Sequence, residues 1–580
     1  MMSIKLLPYG ISNYDTIIRK RYAYVDKTMY IRSLEQAGHY ILFLRPRRFG
    51  KSLFTSTLGY YYDINQKDNF DFLFSGTDIG RNPTEEKNAY YILKFNFSGI
   101  ETDSTEILLE SFTDKVHDAL LAFCDVYQLD IPLKVARPAA QLSSFFTGFR
   151  RKCNGTCLPA GAKIYVIIDE YDHFANELLG AKPDIFKEVV TQDGFVRKWY
   201  EILKEASETI VDRIFITGVT PITLDSLTSG FNIAESYSMD SEFNEMMGFT
   251  AAEVEQVIKE TISEKLPADF MDTLTEYYNG YCFSEDGKNR VFNSTMVLYY
   301  LKHYKRHHKP PKTLLDRNSL SDYGKLKELL EYENPKQNRE ILEEILFDGY
   351  TTTKLVDSFS IGEEFKKEHF KSLLFYLGLL TIKERGQSRV KLEIPNTAMV
   401  GLYFDFLLNI IAKETNYDPA DDDRDLAVKQ IAYEHSCEKL VILAEGLLHA
   451  LSNLDFREFN EKCIKFALLA YSLENDLYNI ESECEIKGGG YIDLAFFPED
   501  STSELDIVLF EFKYIKKGDV PDPNSAKAKK IIAAKRAEAI KQLEIYASAD
   551  NFSEKKITCF ALIFLKDICV ERVEFRKANS

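Results

Sequence analysis

The chain contains no apolar stretch approaching the ~20 residues that span a bilayer. Its start, MMSIKLLPYG, lacks the apolar core of a secretory signal. A soluble, cytoplasmic protein is expected. Basic residues are not in excess: 72 Lys and Arg face 90 Asp and Glu, leaving a net charge of −18. That excludes a uniformly basic nucleic-acid binder and leaves room for a local basic patch. A disulfide framework is also missing. The nine cysteines are odd in number, scattered and mostly flanked by apolar residues, as buried thiols in a reducing compartment are. Cys153 and Cys157 resemble half a metal site, but no matching pair follows. The nine histidines form no HExxH. Tryptophan occurs once, against 41 Phe and 34 Tyr, and neither low-complexity segments nor internal repeats are present. With 580 residues, 45% hydrophobic and 28% charged, the chain has the means to bury two to four cores.

What is there starts with ILFLRPRRFGKS, residues 41–52. A short apolar run of strand length leads into a loop ending Gly50-Lys51-Ser52, and helix-compatible residues follow. Strand, loop, GK[ST] and helix is how a chain cradles a nucleoside triphosphate. Backbone N–H groups face the phosphates, the lysine reaches the outer ones, and the hydroxyl binds Mg²⁺. The loop is a variant: Arg45 stands where the first glycine is expected, and Pro46 has no N–H to donate. A second apolar run, IYVII, ends in Asp169-Glu170. An unbroken apolar run suits a central strand covered on both faces, and ligands bind at the C-terminal ends of such strands. Asp169 is placed to hold Mg²⁺ and Glu170 to polarise the attacking water. A third strand, RIFITGVTPI, ends in Thr217-Gly218. Thr217 either contacts the γ-phosphate or lytic water, or belongs to a plain Thr-Gly turn. AYYILKFNFSG (89–99) reads as one more strand.

The far end carries an independent signature. EIKGGGYIDLAFF is followed by LDIVLFEFKYIKK. In a strand, residues two apart share a face, so Glu511 and Lys513 point together while Phe510 and Phe512 point into a core. Asp493, on the neighbouring strand, completes an acidic pair. Two carboxylates hold Mg²⁺ beside a scissile phosphate, and a lysine orients the water or stabilises developing charge. Glu485, just before the glycine run, is a further candidate ligand, and Glu461, on an upstream helical segment, a weaker one. Residues 511–541 are locally basic, with nine Lys or Arg against Glu511, Asp519, Asp522 and Glu538. This fits either a phosphate-backbone track or a solvated face of the amphipathic helix AKAKKIIAAKRAEAIKQLEIYA.

Together these residues resemble the bacterial AAA-ATPase-like proteins that end in a PD-(D/E)xK nuclease-like domain. The similarity runs through YAYVDKTMYI (22–31), RPRRFGKSL, DEYD (169–172), FITGVTPITLDSLTSGFNIA (215–234), GFT (248–250), YYNGYCF (277–283), IPN (394–396), GGGYIDL, FEFK and QLEIY (542–546). The resemblance makes Arg45 a family trait. It implies ATP and Mg²⁺ as cofactors, with Arg45, Arg48, Phe49, Gly50, Lys51, Ser52, Leu53, Asp169 and Thr217 about the nucleotide. Ser52 and Asp169 serve its metal, and Glu170 is catalytic. It likewise implies Asp493, Glu511 and Lys513 as a nuclease site, with Asp493, Glu511 and Glu485 toward the metal and Gln542 nearby. The expected fold is α/β. A P-loop NTPase parallel sheet (1–240) leads to a helical lid (241–313), a helical, winged-helix-like middle (314–425) and a restriction-endonuclease-like domain (426–580). Within the middle, TIKER and RVKLEIP suggest a hairpin around Gly386, and NYDPADDDRD (416–425) an acidic breaker. Arg45, Arg47 and Arg48 in cis, or Arg213, are the candidates for an arginine finger. The expected function is an ATPase coupled to a Mg²⁺-dependent nuclease acting on DNA or RNA, with an oligomer possible. One alternative is a nucleotide-sensing regulator whose last domain binds nucleic acid or a partner without cutting. Another is an NTPase working on proteins.

Overall fold

The apolar runs too short for helices become the strands of a parallel sheet. They are β1 (Tyr40–Leu44), β2 (Tyr91–Asn96), β3 (Ile164–Asp169), β4 (Val211–Gly218) and β5 (Glu235–Ser236), in the order β2-β3-β4-β1-β5. Every neighbouring pair is parallel. These coordinates are a computed structural model. It describes the chain except residues 1–3, 135, 156–157, 160, 183–184, 186–187, 190–193, 222–232, 312, 317–329, 331–333, 358–364, 454–460, 474, 487–489, 500–502, 517, 519, 521–524, 550–555 and 578–580. The side chains of 179–181, 453, 483 and 485 are also outside the described set. The chain divides into two compact units, Met1–Met399 and Val400–Ser580.

In the first unit β3 is buried along its whole length, as a strand covered on both faces must be. Ile92 and Phe95 of β2 point to opposite faces. On the Ile92 side lies the helix Lys51–Tyr62, whose Gly59 meets Ile92 and Ile167. On the Phe95 side lies Trp199, 5.0 Å ring to ring, from the helix Phe195–Ser207. Phe112 of the helix Thr105–Tyr127 stacks 4.8 Å from Phe97 and extends that cluster. The lone tryptophan is therefore fully buried in the core behind the sheet.

Beyond β5 the first unit turns helical. The helix Ala251–Thr261 opens on a complete capping box, with Thr250 and Glu253 bonding each other's backbone. Phe270–Tyr278 and Ser294–His307 follow. Next come a helix (Pro335–Asp348), β6 (Thr351–Thr353), a helix (Lys367–Tyr376), β7 (Thr381–Arg385) and β8 (Val390–Glu393), with the antiparallel strands ordered β6-β8-β7. This is a winged-helix-like layout. The helix preceding its hairpin is buried from Phe370 to Tyr376, so that stretch is core.

The second unit is a five-stranded sheet of β9 (Tyr478–Glu485), β10 (Tyr491–Pro498), β11 (Ile507–Ile515), β12 (Ile557–Leu565) and β13 (Ile568–Lys577), in the order β13-β12-β11-β10-β9. Only β11 and β12 run parallel, and a parallel pair needs a long crossover. The helix Ala526–Ala547 supplies it and buries Ala528, Ala539, Leu543 and Tyr546. Half of the expected acidic breaker is helix instead. Asp421, Asp422 and Asp423 form the first turn of Asp421–Lys429, where the helix dipole favours negative charge.

Two candidate active sites

At the nucleotide end, Gly50 adopts a left-handed φ of +96° and starts the helix Lys51–Tyr62, so the loop turns sharply at the one residue free of a Cβ. The loop is gripped from the helical segment beyond the sheet. Thr295 N–H and the Ser294 and Thr295 hydroxyls all donate to the Arg48 carbonyl, at 3.2, 3.0 and 3.0 Å. Gly248 N–H donates to the Phe49 carbonyl at 3.0 Å. The GFT block thus closes directly on the phosphate loop. A cavity of about 490 Å³ opens there. Of the expected residues, Arg48, Phe49, Gly50, Lys51, Ser52, Leu53 and Glu170 line it, as does Arg47. Its apolar wall comes from Ile11, Val25, Met246 and Leu298 among others.

Lys51 is 4% exposed, and its ammonium donates to the Arg45 and Pro46 carbonyls, both at 3.0 Å. Burial lowers its pKa, against the attraction of Glu170 and Asp169. Asp169 closes β3 with one oxygen accepting the Glu170 N–H at 3.1 Å, while its Oδ2 is buried with no hydrogen-bond partner. Glu170 sits at φ +55°, a conformation that costs roughly 1 kcal/mol for a non-glycine residue.

Asp169 is not among the residues that line the cavity, and neither are three others expected about the nucleotide or as a finger. Arg45 turns its guanidinium into the core, where it donates to the carbonyls of Leu44, Ser238 and Phe243. The Thr217 hydroxyl is fully buried and donates to the Phe43 carbonyl at 2.8 Å, tying β4 to β1. Arg213 forms a two-pronged pair with Glu86 at 2.5 and 2.6 Å and bonds the Gly38 carbonyl; this engagement removes it as a finger. Sequence reasoning passed over Asp172, which is fully buried and accepts from Val219 N–H, Thr220 N–H, the Thr220 hydroxyl and Asn176. Gly218 is required for that turn, since a Cβ there would stand 2.2 Å from the Asp172 carboxylate. Asn96, Ser98 and His173, also passed over, line the cavity near Glu170. The YVDKT block works as a strut: Lys27 donates at 2.7 Å to both the Glu245 carbonyl and the Glu253 carboxylate.

In the second unit, Asp493, Glu511 and Lys513 converge. Asp493 Oδ2 accepts the Phe512 N–H at 2.9 Å, which draws β10's carboxylate onto β11. The Lys513 ammonium donates to Glu511 Oε1 at 2.5 Å, in a pair 7% and 2% exposed. Phe510 points the other way, stacking 5.0 Å from Phe560. Gln542 Oε1 is buried with no hydrogen-bond partner; Glu511 Oε2 meets no ordinary donor, and the Glu511 and Asp493 carboxyl groups lie close enough to share a hydrogen bond when one holds a proton. Burial, then the charge of Asp493, pushes Glu511 up to about 8. Burial also raises Asp493. For Lys513 burial acts downward, but its bond to Glu511 and the nearby carboxylates leave it above its usual value. Glu461 reaches the same corner, accepting the Tyr514 N–H at 3.3 Å. Gln542 and Tyr546 neighbour each other on the crossover helix at 3.5 Å, and Tyr546 feels the charges of Glu511 and Asp493. The Glu485 side chain and residues 487–489 lie outside the described residues.

Among the described residues no three His, Cys, Asp or Glu side chains form a complete metal cage. Each site instead offers a buried carboxyl oxygen that meets no donor: Asp169 Oδ2 in one and, beside the Asp493 carboxyl, Glu511 Oε2 in the other. Mg²⁺ keeps several waters and takes one or two carboxylates, with phosphate oxygens completing its shell, so both donor sets fit it. Among the described residues no helix is long and apolar enough to cross a membrane.

Residues 8–228 match the family described as Predicted AAA-ATPase, and residues 459–574 match the PD-(D/E)XK nuclease superfamily. A protein of Azotobacter chroococcum mcd 1, described as an uncharacterized protein in the vnfD 5' region, is 27% identical over 409 residues, 68% of each chain. The chain therefore joins a domain of the predicted AAA-ATPase family to one of the PD-(D/E)XK nuclease superfamily.

Proposed function

We propose that the chain binds and hydrolyses ATP at the loop Arg47–Ser52 and cleaves DNA or RNA at Asp493, Glu511 and Lys513. The observation that carries the reading is the buried pair of carboxyl groups, Asp493 and Glu511, close enough to share a proton and set beside the Lys513 ammonium. Two buried carboxyl groups so close do not both ionise unaided, and a divalent cation in place of the shared proton satisfies both. Asp493 and Glu511 would hold Mg²⁺, with Glu461 placed to bind a metal-bound water. The ion supplies Lewis acidity and a more acidic water. Lys513 is protonated at neutral pH, so it orients the water and stabilises charge on the phosphate and does not act as the base. At the other site Lys51 would turn from the loop carbonyls to the phosphates, Ser52 and Asp169 would hold the nucleotide's Mg²⁺, and Glu170 would orient water. The exposed Lys527, Lys529, Lys530, Arg536 and Lys541 on the crossover helix support a nucleic-acid partner.

The test is a Mg²⁺-dependent cleavage assay on DNA and RNA, with and without ATP, comparing wild type, Lys51→Ala and Lys513→Ala. Lys513→Ala is expected to lose cleavage and keep ATP turnover, and Lys51→Ala to lose ATP turnover. Absence of cleavage of every substrate by wild type, with nucleic acid still bound, would replace this reading with a nucleotide-sensing regulator that binds without cutting.

A further inference from the structure

Arg45 occupies the place of the first glycine in an ordinary phosphate loop, and it is 1% exposed. Its guanidinium donates to three backbone carbonyls, those of Leu44 at 2.9 Å, Ser238 at 2.5 Å and Phe243 at 2.9 Å. It is sandwiched between two aromatic rings, Phe43 at 4.3 Å and Phe283 at 4.5 Å. Among the described residues it has no carboxylate partner, and its Nε is buried without a hydrogen bond. A buried cation lacking an anion is disfavoured, and a glycine would relieve the penalty at once. The planar, weakly hydrated guanidinium is the side chain suited to such a site, because it spreads its donors over several carbonyls and stacks on rings.

The arrangement joins separate parts of the first unit. Leu44 ends β1, Ser238 and Phe243 follow β5, and Phe283 lies in the NGYCF block. At the same residue the backbone serves the nucleotide site: Arg45 N–H donates to the Gly218 carbonyl at 3.2 Å, and the Arg45 and Pro46 carbonyls receive the Lys51 ammonium. So the side chain fixes the backbone that seats the lysine.

We propose that Arg45 is a positioning residue that acts through Lys51. Resting on the ATP-binding reading above, it holds the Arg45–Pro46 peptide in the orientation that parks the ammonium beside the phosphate seat. Without the guanidinium anchor that peptide turns, the lysine loses the Arg45 carbonyl, and the phosphates meet a lysine that must first be ordered. Restoring the usual glycine therefore harms this loop.

The test is a double-mutant cycle on the full chain, reading ATP affinity by calorimetry. Arg45→Gly and Arg45→Met are each expected to weaken ATP binding about tenfold or more. Lys51→Met weakens it as well, and the double variant Arg45→Met/Lys51→Met is expected to bind within about twofold of Lys51→Met alone, because both remove one interaction. Losses that multiply would make Arg45 a merely structural residue and overturn the proposal. So would unchanged or tighter binding by Arg45→Gly. The fluorescence melt of Trp199 shows whether each variant is folded. If the Arg45 variants do not fold, Phe283→Leu, which removes one ring from the guanidinium and leaves the loop's sequence intact, enters the same cycle. A Phe283→Leu loss that vanishes in the Lys51→Met background supports the proposal; a multiplying loss, or none, sinks it. Failure of the ATP-binding reading would be seen earlier, as a wild-type chain that takes up no ATP.

Discussion

A carboxyl group sealed beside a second carboxyl keeps its proton, and Glu511 is such a group at 2% exposure. Burial first, and Asp493 second, lift it from 4.5 to about 8. The folded value lies above the unfolded one. Its contribution to stability is thus complete below about pH 4.5 and is lost as the pH rises through about 8. Without metal, the second unit is expected to weaken across that window. Mg²⁺ competes with the same proton, so metal affinity should climb with pH up to about 8. Calorimetry in buffers of different ionisation enthalpy would reveal the released proton. Glu511→Gln removes the charge and keeps the shape. At pH 8 without metal it should raise stability by about 1 kcal/mol, roughly 2–4 °C for a unit of this size, while lowering cleavage by about a hundredfold or more. A melting temperature that falls in Glu511→Gln would contradict the strained-carboxylate account.

Among elements, the turn after β3 shows how local geometry depends on distant partners. Asp172 satisfies the Val219 and Thr220 N–H groups and the Thr220 hydroxyl, so the turn after β3 and the turn after β4 form one knot. Asp172→Ala would leave those buried donors unmet and should destabilise the first unit by about 2–4 kcal/mol. Urea unfolding followed by Trp199 fluorescence would measure it, and a change under about 0.5 kcal/mol would show that water replaces the carboxylate. β1, β3, β4, β10 and β11 were all legible in the sequence, because each is an apolar run of strand length ending in, or carrying, residues of evident chemistry. That Glu511 and Lys513 share a face followed from the period of two along a strand, whereas Asp493 reaches them through the register of β10 on β11. The direction of a loop side chain did not. Arg45 looked like a phosphate ligand because it sits in the loop. Its rotamer is decided by Ser238, Phe243 and Phe283, about two hundred residues on, and no local pattern announces them. Arg213 is claimed by Glu86, 127 residues away, and the Thr217 hydroxyl by β1's backbone. Polar and charged side chains whose partners are remote in the chain were the ones misjudged.

On the scale of the whole molecule, each unit carries its own core and its own candidate site, and the single tryptophan lies in only one of them. Trp199 reports the first unit alone, while far-UV ellipticity reports both. A ligand that binds only the folded state at a hundred times its Kd adds about 2.7 kcal/mol of stability. ATP with Mg²⁺ at that level should therefore move the Trp199 transition upward. Within the ellipticity trace, it should leave in place a second transition that belongs to Val400–Ser580. Lys51→Ala should abolish the shift, and Lys513→Ala should preserve it. Mg²⁺ alone should act the other way, moving the second transition through Glu511 and Asp493 with little effect on Trp199 fluorescence. If ATP moved both signals together, the units would be unfolding as one cooperative body, and two separately addressed sites would no longer describe the thermodynamics of this chain.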